Sequence, residues 1–278
     1  MLGLCFFIRE IIFRDKNIII CYHDPAPEVF RKHLRYLVKR YNIITLDSLV
    51  NAIAQKEALF SPKSLVITLD DGWKGNYKLL EAIKEFNIPV IIFLTSGVVN
   101  TNRKFWWQAG FLGFEKLKLC QNQERLAMLR EKTGYEPEKE YATPQALNLQ
   151  EINEMADYVS FQSHGCFHPV LTKCDDNECL GEIKTSKESL EMILKKEINH
   201  FAYPNGNYSR REITYLKQTG YRSAVSLDSG WNDTNSDQFC LKRIWICDDA
   251  SINELAGRLN GIFGCLRNFY ERFKGLLK

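Results

Sequence analysis

Two adjacent carboxylates, Asp70 and Asp71, end the apolar run "SLVITLDDG", and Gly72 follows them at once. In a continuing strand their side chains would point to opposite faces. A glycine lets the backbone turn, so that both can converge on a mouth at the strand end. Like charges this close require a cation or a shared proton. Further along, "SHGCFHP" carries His164 and His168 as H-x-x-x-H. That spacing puts both imidazoles on one side of a helical turn, and Pro169 argues for a loop or a single turn rather than a continuing helix. Two histidines plus one carboxylate form a three-ligand set with positions left for water and substrate, as in a hydrolytic metal centre.

These residues need a scaffold that brings distant strand ends together. Short apolar runs alternate with helical periodicity, the pattern of a parallel β/α architecture. Seven strand candidates stand out: "NIIICYHD", "SLVITLDD", "IPVIIFLT", "DYVSFQSH", "INHFAYPNG", "YRSAVSLD" and "LKRIWIC". Pro27 opens a helix whose apolar positions Phe30, Leu34, Leu37, Val38 and Tyr41 keep a 3.6 period, and a second helix carries Leu46, Leu49, Val50 and Ile53. Further helices are expected near Asn76 to Phe86, Asn148 to Ala156, Asn177 to Leu194 and Arg210 to Thr219. Between Ser96 and Leu147 the alternation breaks, which reads as an insertion over or beside the site. His23, Asp70, Asp71, Thr95, His164 and Asn205 all fall at strand C-terminal ends, the face where parallel β/α folds place their sites.

"TLDDG", "SHGCFH" and "FAYPNG", in this order, resemble the first three motifs of the polysaccharide deacetylases, the NodB-homology domain of carbohydrate esterase family four. The resemblance runs from about His23 to Trp245 and takes in "EIKTSKESLE", "GYRSAV" and "LKRIWI". It implies an α/β fold, a distorted (β/α)7 barrel, and metal-dependent removal of an N- or O-acetyl group from a sugar. By position it makes Asp71, His164 and His168 the metal ligands, Asp70 the general base, and Asn205 the donor of a backbone N–H to the oxyanion. Tyr203, Asn205 and Trp73 are expected to contact substrate. The third motif lacks the arginine that many members use to orient the base, with Ala202 in its place, and Arg243 of "LKRIWI" is the candidate substitute. The late L-x-H motif is also missing, since no histidine follows His200. "CYHD" resembles the variant in which the acid comes from the first strand, which gives proton donation to His23. Gly165 stands where a Ser or Thr is usual.

The remaining features bound the reading. With 37 basic and 34 acidic residues and a net charge of +3, the chain has no nucleic-acid footprint. Nine cysteines without a C-x-x-C pair suit reduced, mostly buried thiols. Charges interrupt the apolar N-terminus, so a signal peptide is not expected, and a cytoplasmic protein is. The segment 1–278 reads as one domain with an insertion at about 96–147 and an amphipathic basic tail at about 261–278. That tail would dock on the barrel or lie on an inner membrane face. Zinc is the default metal, and nickel, cobalt, iron or manganese suit the same donors. The expected partner is an acetylated sugar, free, nucleotide-linked or lipid-linked. A hydrolase of another small amide and a glycan-binding pseudoenzyme are the alternatives. His33 and His200 read as structural, and core or lid packing is the expected role of at least two of Trp73, Trp106 and Trp107.

Overall fold

The computed structural model describes residues 16–56, 63–110 and 113–260; the amphipathic tail lies outside them. Parallel strands follow the order β7-β6-β5-β4-β3-β1-β8. They are β1 (Ile18–Tyr22), β3 (Ser64–Leu69), β4 (Val90–Leu94), β5 (Val159–Ser163), β6 (His200–Ala202), β7 (Ser223–Val225) and β8 (Ile244–Trp245). All seven expected strands are present, and a two-residue β2 (Asn42–Ile43) pairs with β3. The stretch leading into β8 draws the two edges together. Leu241 bridges to Val225 of β7, and Ile244 and Trp245 pair with Ile20 and Cys21 of β1. The result is a distorted (β/α)7 barrel.

The strands form because their residues are buried on both sides, as continuous Val/Ile/Leu runs in parallel sheets are. Every residue of β1, β3 and β4 is buried. Their side chains alternate between two cores. Ile18, Ile20, Leu65, Ile67, Leu69, Val90, Ile92 and Leu94 face the helices. Ile19, Val66, Ile91 and Phe93 face the barrel interior, with Ala202, Val225 and Leu241. Helix α1 (Pro27–Leu37) starts with Pro27 in its first turn and buries Phe30, Leu34 and Leu37 outside the barrel. Helix α2 (Leu46–Gln55), capped by the Thr45 hydroxyl on the Ser48 N–H, does something different. Its Leu46, Leu49, Val50 and Ile53 join the interior cluster.

A 3-10 turn (Lys74–Leu79) and α3 (Leu80–Phe86) follow β3. The stretch after β4 holds α4 (Phe114–Leu117) and α5 (Asn122–Thr133), with a small core of its own in Trp106, Leu117, Leu129 and Tyr135. Then come α6 (Leu149–Met155), α7 (Asp176–Leu194), α8 (Arg210–Gln218) and α9 (Ile252–Leu259). Capping boxes start α6, α7 and α8, so each helix N-terminus is set by its own sequence. Helix α9, which the hydrophobic pattern did not announce, buries Leu255 and Leu259.

Candidate active site

The chain leaves β3 through two successive left-handed residues, Asp71 (φ +73°) and Gly72 (φ +76°). A Cβ on Gly72 would come within 2.6 Å of Leu94 Cδ2, so glycine is required by packing as well as by φ. This turn brings both carboxylates to the same mouth. His164 follows β5, and the segment to His168 is a loop, with His168 itself left-handed at φ +55°.

Asp71 Oδ1 lies 3.4 Å from His164 Nε2 and 3.5 Å from His168 Nε2. It is buried without a hydrogen-bond partner. Donors bonded to one tetrahedral ion at about 2.0–2.1 Å stand about 3.3 Å apart, so this spacing fits a zinc-like cation. Neighbouring groups fix the donors. The Nδ1 of His164 lies 2.8 Å from the Ala202 carbonyl, which leaves Nε2 for a metal. The Trp73 indole N–H donates to Asp71 Oδ2 at 2.8 Å. Burial and the neighbouring His164 push the His168 imidazole down to about 3, so it is a neutral donor at ordinary pH. Burial works against a charge on His164, but the Asp70 and Asp71 carboxylates facing it draw its pKa upward.

Asp70 is held differently. Arg243 Nη1 and Nη2 donate to its two oxygens at 2.7 Å each. The same guanidinium donates to Thr68 Oγ1 and to the Ser226 carbonyl, and it is fully buried. Cys21 Sγ adds a contact to Asp70 Oδ2 at 3.3 Å. Burial would raise the Asp70 carboxyl, but Arg243 and His164 outweigh it and keep it well below the usual carboxylate range. Ala202, at the position of the missing arginine, faces the same interior, so the guanidinium reaches the carboxylate from a different strand.

A cleft of about 510 Å³ opens over these residues, lined by His23, Asn205, Trp107 and Trp245 among others. The turn carrying His23 is clamped. Asp248 accepts the backbone N–H groups of His23 and Asp24 at 3.0 Å each, and Asn76 Nδ2 donates to the His23 carbonyl at 2.8 Å. Asn205 is left-handed at φ +58° and lines the cleft.

One expectation needs correction. Tyr203 does not reach the cleft. It is fully buried on the helix-facing side, with its hydroxyl donating to the Phe239 carbonyl, because residues 201 and 203 share one face of the strand and Ala202 takes the other. Trp73 lines the cleft, with its N–H committed to Asp71. Several contributors went unread: Cys21, Asp248 and Asn76, and Glu182 of α7, whose Oε2 accepts the N–H groups of Cys166 and Phe167 at 2.7 and 3.0 Å. Glu182 steadies the ligand loop where Gly165 offers no hydroxyl, and a Cβ on Gly165 would come within 3.1 Å of that oxygen. His33 and His200 are structural, bonded to Tyr22 and Ala250 and to Ser223 and Asp47 respectively.

A barrel with an Asp-His-His donor set beside a clamped second aspartate has the make-up of a hydrolase. The chain belongs to the polysaccharide deacetylase family, whose model matches residues 59–224. A poly-beta-1,6-N-acetyl-D-glucosamine N-deacetylase of Staphylococcus aureus is 25% identical over 197 residues, covering 70% of this chain and 59% of that protein. The chain spans about half to three fifths of the length of the curated relatives it matches. Among solved structures, Streptococcus pyogenes deacetylase PplD in complex with acetate superposes with a TM-score of 0.67 at 19% identity, over 88% of this chain and 98% of that one. IcaB from Ammonifex degensii gives 0.66 at 17% identity, over 88% and 97%. Among the described residues no helix is long and apolar enough to cross a membrane.

Proposed function

We propose that this chain is a metal-dependent N-deacetylase of an acetylated glycan chain. The observation that carries the reading is the buried, unpartnered Asp71 Oδ1 facing two imidazole Nε2 atoms, with Asp70 clamped by Arg243 next to it. Asp71, His164 and His168 would hold the ion. When bound, a divalent ion lowers the pKa of water towards about 7 and polarises the acetyl carbonyl. Asp70 takes the proton of the attacking water, and Arg243 holds its carboxylate in place. The backbone N–H of Asn205 stabilises the oxyanion that develops on the acetyl carbonyl oxygen. His23, on its clamped turn, protonates the departing amine, so acetate and a free amino sugar leave.

The N-acetyl preference follows the named activity of the staphylococcal relative. A glycan chain is preferred over a nucleotide-linked sugar on charge. Lys118 is the one lysine or arginine among the described residues that line the cleft, and it pairs with Glu115 at 2.9 Å. Pyrophosphate recognition calls for more than that. The exposed Trp245 and the half-buried Trp107, which both line the cleft, instead suit sugar rings. Acetate release from N-acetylglucosamine oligomers, O-acetylated oligomers, a nucleotide-linked N-acetyl sugar and a lipid-linked one tests this. Release from the oligomers first is the expected result; release from non-sugar amides alone would overturn the assignment.

A further inference from the structure

His168 is the ligand with the most demanding backbone. It is a non-glycine residue in the left-handed region, its Nδ1 is buried without a partner, and a proline follows it. Something outside its own loop must hold it, and the insertion does so at two points. The Trp106 indole N–H donates to the His168 carbonyl at 2.9 Å, and Trp106 is itself almost wholly buried. The Trp107 ring meets the His168 imidazole edge to face, with centroids 4.5 Å apart.

Trp106 is in turn fixed from behind. The Arg125 guanidinium lies 4.4 Å from its ring centroid, and Arg125 is buried with one guanidinium nitrogen bonded to Asn122. Trp107 stacks on Phe105, and Phe105 packs on Trp73, whose N–H holds Asp71. An unbroken run of aromatic contacts therefore links the insertion to two of the three donors. The root of the insertion is tied to the same turn. Lys74 N–H donates to the Gln145 carbonyl and Leu147 N–H to the Gly72 carbonyl, at 2.8 and 2.9 Å.

We infer that the insertion is a fixed buttress of the metal centre and not a moving lid, with Trp106 a positioning residue that holds His168 in its ligating conformation. A lid would have to break these buried bonds on every opening, whereas a buttress keeps the donors preorganised before the ion arrives. The inference rests on the metal reading above, and the two are tested apart.

The experiment measures Zn2+ affinity by competition with a chromophoric chelator, and the visible spectrum of the Co2+-loaded protein, for the unaltered chain, Trp106→Phe and Met128→Ala. Phenylalanine keeps a ring near Arg125 and removes the donor. Met128, exposed on α5, serves as the control. Trp106→Phe should bind about tenfold more weakly or worse with an altered Co2+ spectrum, while Met128→Ala matches the unaltered chain. No metal bound by the unaltered chain would end the metal reading itself. Equal affinity and spectrum in Trp106→Phe would overturn the buttress and leave the metal site standing. Should Trp106→Phe fail to fold, the unaltered 15N-indole-labelled protein decides. The Trp106 N–H must exchange more slowly once Zn2+ is bound, and indifference to the ion overturns the inference.

Discussion

Arg243→Met tests whether the pairing that orients Asp70 is a structural necessity. The fully buried guanidinium makes four hydrogen bonds, two of them charge-assisted bonds of 2.7 Å to the Asp70 carboxylate. Methionine fills much of the volume but leaves the carboxylate buried and uncompensated. Removing one partner of such a pair costs about 3–5 kcal/mol, whereas replacing both partners costs far less. Asp70→Asn alone should also destabilise, because it strands Arg243. The double variant Asp70→Asn, Arg243→Met should then lose less than the sum of the two, with a coupling energy of about 2 kcal/mol or more. Urea unfolding of the four proteins at pH 7, with a chelator present, measures this. Arg243→Lys should recover only part of the loss, since an ammonium cannot engage both oxygens in parallel. A loss below about 1 kcal/mol in Arg243→Met, or additive losses across the cycle, would refute the reasoning.

Two further outcomes follow from the site. Burial raises the Glu182 carboxyl to about 7 against the two N–H bonds it accepts, from an ordinary value of 4.5. Between those pH values the folded chain keeps a proton that the unfolded chain has released, so stability falls as pH rises through the window, by roughly 3 kcal/mol. Urea titrations of metal-free protein at pH 4.5 and pH 8 should show that decline in the unaltered chain and a flatter profile in Glu182→Gln. His23→Gln should lower kcat by about 10²- to 10⁴-fold with little change in KM, measured by acetate release; a raised KM with kcat unchanged would point to a binding role instead.

The scaffold was legible because parallel strands covered on both faces read as unbroken apolar runs, as "NIIICY" and "VIIFL" do. Asp71 and His164 were legible because each follows a strand end, and His168 through its H-x-x-x-H spacing from His164. What could not be read were contacts across the barrel. Nothing local in "LKRIWI" says that Arg243 will meet a carboxylate on β3, and nothing in "RKFWWQ" says that one tryptophan will bond to the backbone of a histidine on another loop. The error at Tyr203 was avoidable. Strand alternation from Phe201 already puts residue 203 on the helix side, and its proximity to the motif obscured that parity. Helix α9 carries its own signal in Ser251, whose hydroxyl accepts the Glu254 N–H, but its eight residues hold too few apolar positions to stand out.

The central claim is that the donor set of Asp71, His164 and His168 acts with Asp70 as a metal-dependent deacetylase. The most direct test is acetate release from N-acetylglucosamine oligomers by chelator-treated protein, by the same protein reloaded with Zn2+, and by Zn2+-loaded Asp70→Asn. Release is expected from the reloaded protein alone, with Asp70→Asn still binding the ion. Release that persists without metal, or that survives in Asp70→Asn, would contradict it.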